Sequence, residues 1–291
     1  MSPAHIAIIL ILISALTNAI IGALMKRADD RLLFRGIMGG LSALVLLPAL
    51  FFFPVPPASV WLWLVLGAIL HFAYQLAQVA AYNRGDMSLV YPVMRGIAPA
   101  LAAGFAVLIL KEPLAPIQWL GMAITVTALF GFAWPQKPAD RTAPKASIKL
   151  ALGFAVLCGI LTALYTVIDA KGIRLAHALT GEKTGYILWF FVLDGIGIWI
   201  IIAALRGRAV FSGLNGKARI GSLATLLNLS CYGSALLAFS LAPIAGLAAM
   251  RELSIVFGAI IAAVWLKESF GVRRITLAIA LAFGLILLHL A

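Results

Sequence analysis

The chain is short of charge. Only 11% of its 291 residues are Asp, Glu, Lys or Arg, where a water-soluble domain averages about 25%. Acidic residues are scarcest, 10 against 22 Lys and Arg. Cysteine is nearly absent. Cys158 and Cys231 sit inside apolar runs with no partner spacing, so a disulfide framework and a cysteine metal site are poor readings and buried small hydrophobes a good one. No H-E-x-x-H, G-x-S-x-G or phosphate-loop motif occurs, which argues against an enzyme, a metal centre or a bound cofactor. The long runs lack polar/apolar alternation, which argues against an outer-membrane barrel.

What is present is apolar. Hydrophobic residues make up 64% of the chain, about 186 positions, with mean hydropathy +1.09. A soluble fold of this length cannot hide so much apolar surface. A bilayer span takes roughly 20 apolar residues, which allows about nine or ten spans. Ten segments can be drawn, near 5–24, 33–53, 60–82, 88–110, 115–134, 149–168, 185–205, 219–239, 243–266 and 271–290. Helix is the expected local structure, because backbone groups in lipid must bond internally. The N-terminus lacks the basic leader of a cleavable signal, since Lys26 and Arg27 follow the first apolar run.

The chain repeats. Ala248-Ala249-Met250-Arg251 echoes Pro92-Val93-Met94-Arg95 at an offset of 156, and the same offset carries Lys111-Glu112 onto Lys267-Glu268. At an offset of 145, Leu16-Thr17 and Lys26 match Leu161-Thr162 and Lys171. We therefore expect a first five-helix repeat over 1–134, a Pro- and charge-rich linker over 135–148, and a second repeat over 149–291. Five spans are an odd number, so the second repeat enters the membrane in the opposite sense. The fold class is an all-α membrane protein of ten transmembrane helices in two inverted repeats, a plan typical of transporters with a site near the midplane.

The excess of cations is read as topology, not as nucleic-acid binding. One set of inter-segment loops carries sixteen Lys and Arg, the other four: Lys111, Lys171, Arg174 and Lys183. The positive-inside rule puts the richer set in the cytoplasm and both termini outside, although the sixth–seventh loop runs against the trend.

Each half ends alike. An apolar helix closes in Lys111-Glu112-Pro113-Leu114 or Lys267-Glu268-Ser269-Phe270, and a last helix follows through Gly121 or Gly284. Two five-helix halves with this ending resemble the drug/metabolite transporter superfamily, in its ten-helix EamA-type branch. Within it, the length and lack of further domains resemble YddG-type amino-acid exporters. The resemblance implies a substrate cavity among the first, third, fourth, sixth, eighth and ninth helices. Family members are often drawn with both termini in the cytoplasm, the reverse of the charge count here. Read from the residues alone, Glu112 ahead of Pro113 suits the positive start of the helix that follows; a gating ion pair is the other reading.

Polar groups at bilayer depth are costly and point to function. On the third helix His71, Tyr74, Gln75, Gln78 and Tyr82 share one face. They suit a cavity for a polar solute with an apolar or aromatic group, or an interhelical hydrogen-bond seam. Arg95 and Arg251 could bind a carboxylate and gate the path, or be structurally paired. Asn18, Tyr165 and Tyr232 complete the cavity set. Asp194, Glu252 and Asp169 are the gating or coupling candidates, with an arginine as the expected partner of Asp194 and a protonatable site as the alternative. Ala98 and Ala102 match Ser254 and Gly258 as small-residue stripes, through which the fourth and ninth helices should meet.

These features describe a multi-pass protein of a bacterial inner membrane that moves a small organic solute by alternating access. An amino-acid or metabolite exporter is the first expectation, aromatic or other hydrophobic amino acids leading. Drugs, nucleotide sugars and lipid carriers are the alternatives within this fold; an intramembrane enzyme or a scaffold is the alternative outside it. The expected partners are the solute and the lipid bilayer, with no nucleic acid, and the chain is expected to act as a monomer.

Overall fold

The computed structural model describes residues 2–85, 87–133, 145–207, 218–257, 260 and 272–289. Gly258, Lys267-Glu268-Ser269-Phe270 and linker positions 135–144 lie outside these residues. The described chain is helical and contains no strand. Its helices are α1 (Pro3–Arg27), α2 (Arg31–Leu46), α3 (Ala58–Tyr82), α4 (Met87–Phe105), α5 (Pro116–Ala133), α6 (Lys145–Thr180), α7 (Thr184–Arg206), α8 (Ala218–Phe239), α9 (Ile244–Arg251) and α10 (Val272–His289). Among the described residues, seven helical segments are long and apolar enough to cross a membrane, and two shorter apolar helices accompany them. The protein is a multi-pass membrane protein.

Helix ends follow local chemistry. Ser2 caps α1 with Pro3 in the first turn, where proline's missing N–H is harmless. Asp30 caps α2 by accepting from the Leu33 N–H at 3.0 Å. Four boundaries differ from hydropathy. α2 ends at Leu46 and a 3-10 turn, Leu47–Phe52, continues past Pro48. α4 gives way to a π turn, Ala106–Leu110, closed by Lys111 at φ 59. α6 runs twelve residues beyond the expected end at 168. It continues because its polar side chains are satisfied in place: the Lys171 ammonium lies 4.5 Å from the Trp63 ring centroid, and Arg174 donates to the Phe239 and Ala242 carbonyls at 2.8 Å each. These are two of the cations that ran against the loop bias, and both lie in a helix. The ninth apolar run is interrupted at Glu252, where a tightened turn joins α9 to the helical residues 253–257.

The helices form two compact units. One holds residues to Phe72 with Ile168–Ala242; the other holds Ala73–Val167 with Pro243 onward. Each draws on both sequence halves. In the first, α1 packs on α8, and α2 on α7 and α8. Gly39 and Gly195 let the α2 and α7 backbones approach, since a Cβ on Gly195 would stand 2.2 Å from the Gly39 carbonyl oxygen. Leu33, Ile37, Ile198 and Ile202 fill the core beside this crossing. Asn228 Nδ2 donates to Ser42 Oγ at 3.1 Å, joining α8 to α2.

In the second unit α5 packs on α10, and α4 on α5 and α9. Gly121 and Gly284 face each other at the α5–α10 crossing, where a Cβ on Gly121 would meet the Gly284 carbonyl at 2.7 Å. Gln118 Nε2 and Arg273 NH2 donate to carbonyls of the opposite helix, Leu288 and Gly131. The pairs α2–α7, α4–α9 and α5–α10 each join a helix to its counterpart in the other sequence half.

Candidate functional site

Buried polar side chains gather in two clusters, one in each unit. In the unit built on α4, α9 and parts of α3 and α6, Arg95 NH1 donates to Glu252 Oε1 at 3.3 Å. Arg95 comes from α4 and Glu252 from the interruption after α9, so the ion pair joins the two sequence halves. Arg251 is buried beside Glu252, and both arginines are within electrostatic reach of Glu252 and of the Tyr165 hydroxyl. Glu252 Oε2 and Ser254 Oγ have no hydrogen-bond partner among the described residues, though both residues are buried. Tyr165 from α6 and Tyr74 from α3 meet edge to face, 5.5 Å between ring centroids. Gln78 Nε2 donates to the Tyr74 hydroxyl at 2.8 Å, one turn along α3. Gln75 is buried on the same helix, and Tyr82 is partly exposed at its end. The cluster offers charges of both signs, a free carboxylate oxygen and two aromatic faces.

The break at Glu252 has a local cause. The chain turns back from Glu252 N–H to the Ala249 carbonyl and from Ile255 N–H to the Glu252 carbonyl, so the α-helical ladder is replaced over this turn. A run that reads as one apolar helix thus presents two adjacent charged residues at a helix end. The last turn of α9 carries the negative end of the helix dipole, which favours cationic groups such as Arg251 there.

Glu112 also differs from expectation. Its Oε2 accepts the Ile244 backbone N–H at 2.8 Å, so it caps the start of α9. Pro243 precedes Ile244 as the N-cap residue and offers no side-chain oxygen; the carboxylate arrives from the other half to fill that role.

The second cluster lies in the other unit. His71 Nδ1 is 2.8 Å from Asp194 Oδ1. The sequence suggests an arginine partner for Asp194; the partner shown at this distance is an imidazole, which α3 brings to α7. Asp169, from α6, is fully buried. Its Oδ1 accepts from the Tyr186 hydroxyl at 2.9 Å, and its Oδ2 accepts from the Tyr232 hydroxyl. The Tyr232 ring stacks on His71, with centroids 5.2 Å apart. Phe190 closes on both rings, 5.4 Å from His71 and 4.9 Å from Tyr232. Gly67 on α3 makes the room, since a Cβ there would lie 2.1 Å from Asp169 Oδ1.

The α3 row is thereby divided, with His71 in one cluster and Tyr74 and Gln78 in the other. Asn18 is half-buried on α1, and its Nδ2 has no hydrogen-bond partner among the described residues. Thr17 bonds its own helix, donating to the Ile13 and Ser14 carbonyls. Ala98, Ala102 and Ser254 are buried, on the pair α4 and the run after α9. Tyr186, Phe190 and Gly67 are the members that composition and spacing did not single out. Tyr186 stands eight residues before Asp194 in an otherwise apolar helix, and that isolation was the available signal.

Comparison with known proteins agrees with this architecture. The EamA-like transporter family matches residues 5–134. A solved crystal structure with 16% sequence identity covers 98% of this chain and 94% of its own, with a TM-score of 0.73; the likeness is one of fold. No curated protein matches the sequence.

Proposed function

We propose that this transporter exports a zwitterionic amino acid with an aromatic or other hydrophobic side chain, by alternating access. The observation that carries the reading is Glu252. One of its oxygens takes Arg95, the other has no hydrogen-bond partner among the described residues, and Arg251 lies next to it. A solute ammonium matches Glu252 Oε2, and a solute carboxylate matches a guanidinium, whose planar fork suits two oxygens. The edge-to-face pair Tyr74 and Tyr165 suits a flat apolar side chain. The interrupted ninth run supports the same reading, because transporters bind solutes where helices are discontinuous.

The alternatives ask for different sites. A nucleotide sugar brings two phosphates and calls for cations with no carboxylate among them. A cationic drug calls for a carboxylate without two arginines. The test is a panel of labelled solutes with purified protein in proteoliposomes. Saturable exchange of L-phenylalanine or L-leucine is expected. Exchange restricted to a nucleotide sugar or a cationic drug would overturn the reading.

The loop cations favour a bacterial inner membrane with both termini on the outer side. The placement of Lys171 and Arg174 within α6 removes much of the contrary signal. A reporter active only in the cytoplasm, fused after Ala291, is expected to stay silent; activity would reverse the orientation.

A further inference from the structure

The helix that delivers Arg251 and Glu252 is short. α9 spans eight residues, Ile244–Arg251, and helices below about 12–15 residues are marginal by themselves. Its first N–H groups have no partner within the helix. Its N-cap residue, Pro243, makes no side-chain hydrogen bond to them. Ile244 is fully buried, where an N–H left without an acceptor is costly.

The acceptor comes from the chain that follows α4. The N–H groups of Lys111 and Glu112 both return to the Ala106 carbonyl at the start of the π turn, the second at 3.3 Å. Lys111 closes that turn at φ 59, a left-handed conformation that favours glycine. Glu112 leaves it directed at α9, and its Oε2 takes the Ile244 N–H at 2.8 Å. α9 is therefore held at both ends from one stretch of chain. Glu112 holds its first residue, and Arg95, on α4, holds Glu252 just past its last at 3.3 Å. All of these groups belong to one compact unit.

We propose that Glu112 is a positioning residue for the solute site: its carboxylate, aimed by the left-handed backbone of Lys111, sets α9 so that Arg251 and Glu252 meet the solute. This rests on the solute reading above. Lys111 contributes backbone and not its ammonium. When the cap is lost, α9 is correctly formed in only a fraction of the molecules, and apparent affinity falls by that fraction. Saturating solute draws the population back, so the maximal rate is spared.

Two measurements test it, and the first needs no solute. Amide hydrogen exchange of the purified full-length protein is read in peptides covering 244–252. Glu112→Ala should speed exchange there about tenfold, the size expected for loss of a helix cap, and leave α1 and α2 unchanged. Glu112→Gln keeps an acceptor oxygen and gives up only the charge at the helix start, so exchange should rise about two- to threefold. Lys111→Gly takes the left-handed turn readily and should match the wild type. If Glu112→Ala yields no folded protein, Glu112→Asp, one methylene short of Ile244, replaces it with the same expectations.

In the second, L-phenylalanine exchange by proteoliposomes is followed over a range of solute concentrations. Glu112→Ala should raise the half-saturating concentration about tenfold and keep the maximal rate per folded molecule. Glu112→Gln should recover most of the affinity and Lys111→Gly all of it. If the wild type exchanges no L-phenylalanine, the solute reading fails and hydrogen exchange alone decides the positioning role. Wild-type protection of 244–252 in Glu112→Ala overturns the proposal. So does a fall in maximal rate at unchanged half-saturation, which marks a gate, or a loss in Lys111→Gly equal to that in Glu112→Ala, which marks an ion pair between the two side chains.

Discussion

Glu252→Gln is expected to weaken L-phenylalanine exchange by about a hundredfold or more, with the fold retained. Truncating one partner of a charge pair buried on binding costs about 2–5 kcal/mol, and each 1.4 kcal/mol is about a factor of ten in affinity. Glutamine keeps the shape of the side chain, so packing around the turn after α9 is preserved. The charge opposite Arg95 NH1 at 3.3 Å is lost, and so is the acceptor that Glu252 Oε2 offers to a solute ammonium. The two losses separate by choice of competitor. Phenylpropionate has the ring and carboxylate of phenylalanine but no ammonium, and a carboxylate can take up the guanidinium that Glu252 releases. In the variant, phenylpropionate should compete better relative to L-phenylalanine than in the wild type. An equal loss for both compounds would place Glu252 outside the solute site. Wild-type thermal stability of the purified variant would show that the effect is on binding.

Gly195→Ala carries the largest expected effect on stability. Its new Cβ would lie 2.2 Å from the Gly39 carbonyl oxygen and 2.6 Å from Ala43 Cβ. The first of these atoms is backbone in α2, so no side-chain rotation relieves the contact. α2 and α7 must separate, and the core of Leu33, Ile37, Ile198 and Ile202 beside the crossing opens with them. Overpacking costs roughly 1–3 kcal/mol or more, which should appear as a clear fall in Tm for the detergent-purified protein. Gly22→Ala and Gly104→Ala are the controls, because a Cβ at either position meets nothing within 4 Å. Both should be neutral or stabilising, since alanine is the better helix former by about 0.5–1 kcal/mol. Equal Tm values for all three variants would contradict the close α2–α7 approach.

Much of the helix plan was legible, for a physical reason. In lipid, backbone hydrogen bonding forces helix wherever the apolar run is long enough, so hydropathy locates α1, α3 and α7 closely. The errors fall where a side chain finds a partner far away in sequence. α6 continues past Asp169, Lys171 and Arg174 because Tyr186, Tyr232, Trp63 and two carbonyls of the α8 end receive them. No local pattern encodes those partners. The ninth run breaks at Glu252, although its composition reads as one apolar helix.

The candidate sites were legible as residue types and not as pairs. Spacing put His71 and Tyr74 on one face of α3, but the partners of that face come from α6, α7 and α8. Asp194 was visible as a costly group, and its imidazole partner lies 123 positions away. Glu112 was visible as a helix-capping carboxylate, and the helix it caps begins 132 positions later. The helix end that Glu112 serves is settled only by packing. Tyr186 and Gly67 belong to no motif and matter because Asp169 is where it is.

The proposed site recognises both charged ends of an amino acid through Arg95, Arg251 and Glu252. Competition for labelled L-phenylalanine exchange in wild-type proteoliposomes tests it most directly, with unlabelled L-phenylalanine, phenylpropionate and phenethylamine as competitors. L-Phenylalanine should compete best, and the loss of either the ammonium or the carboxylate should weaken competition by about tenfold or more, as expected when a charged hydrogen-bonding group is left without its partner. Competition by phenylpropionate or phenethylamine as strong as that of L-phenylalanine itself would contradict the account.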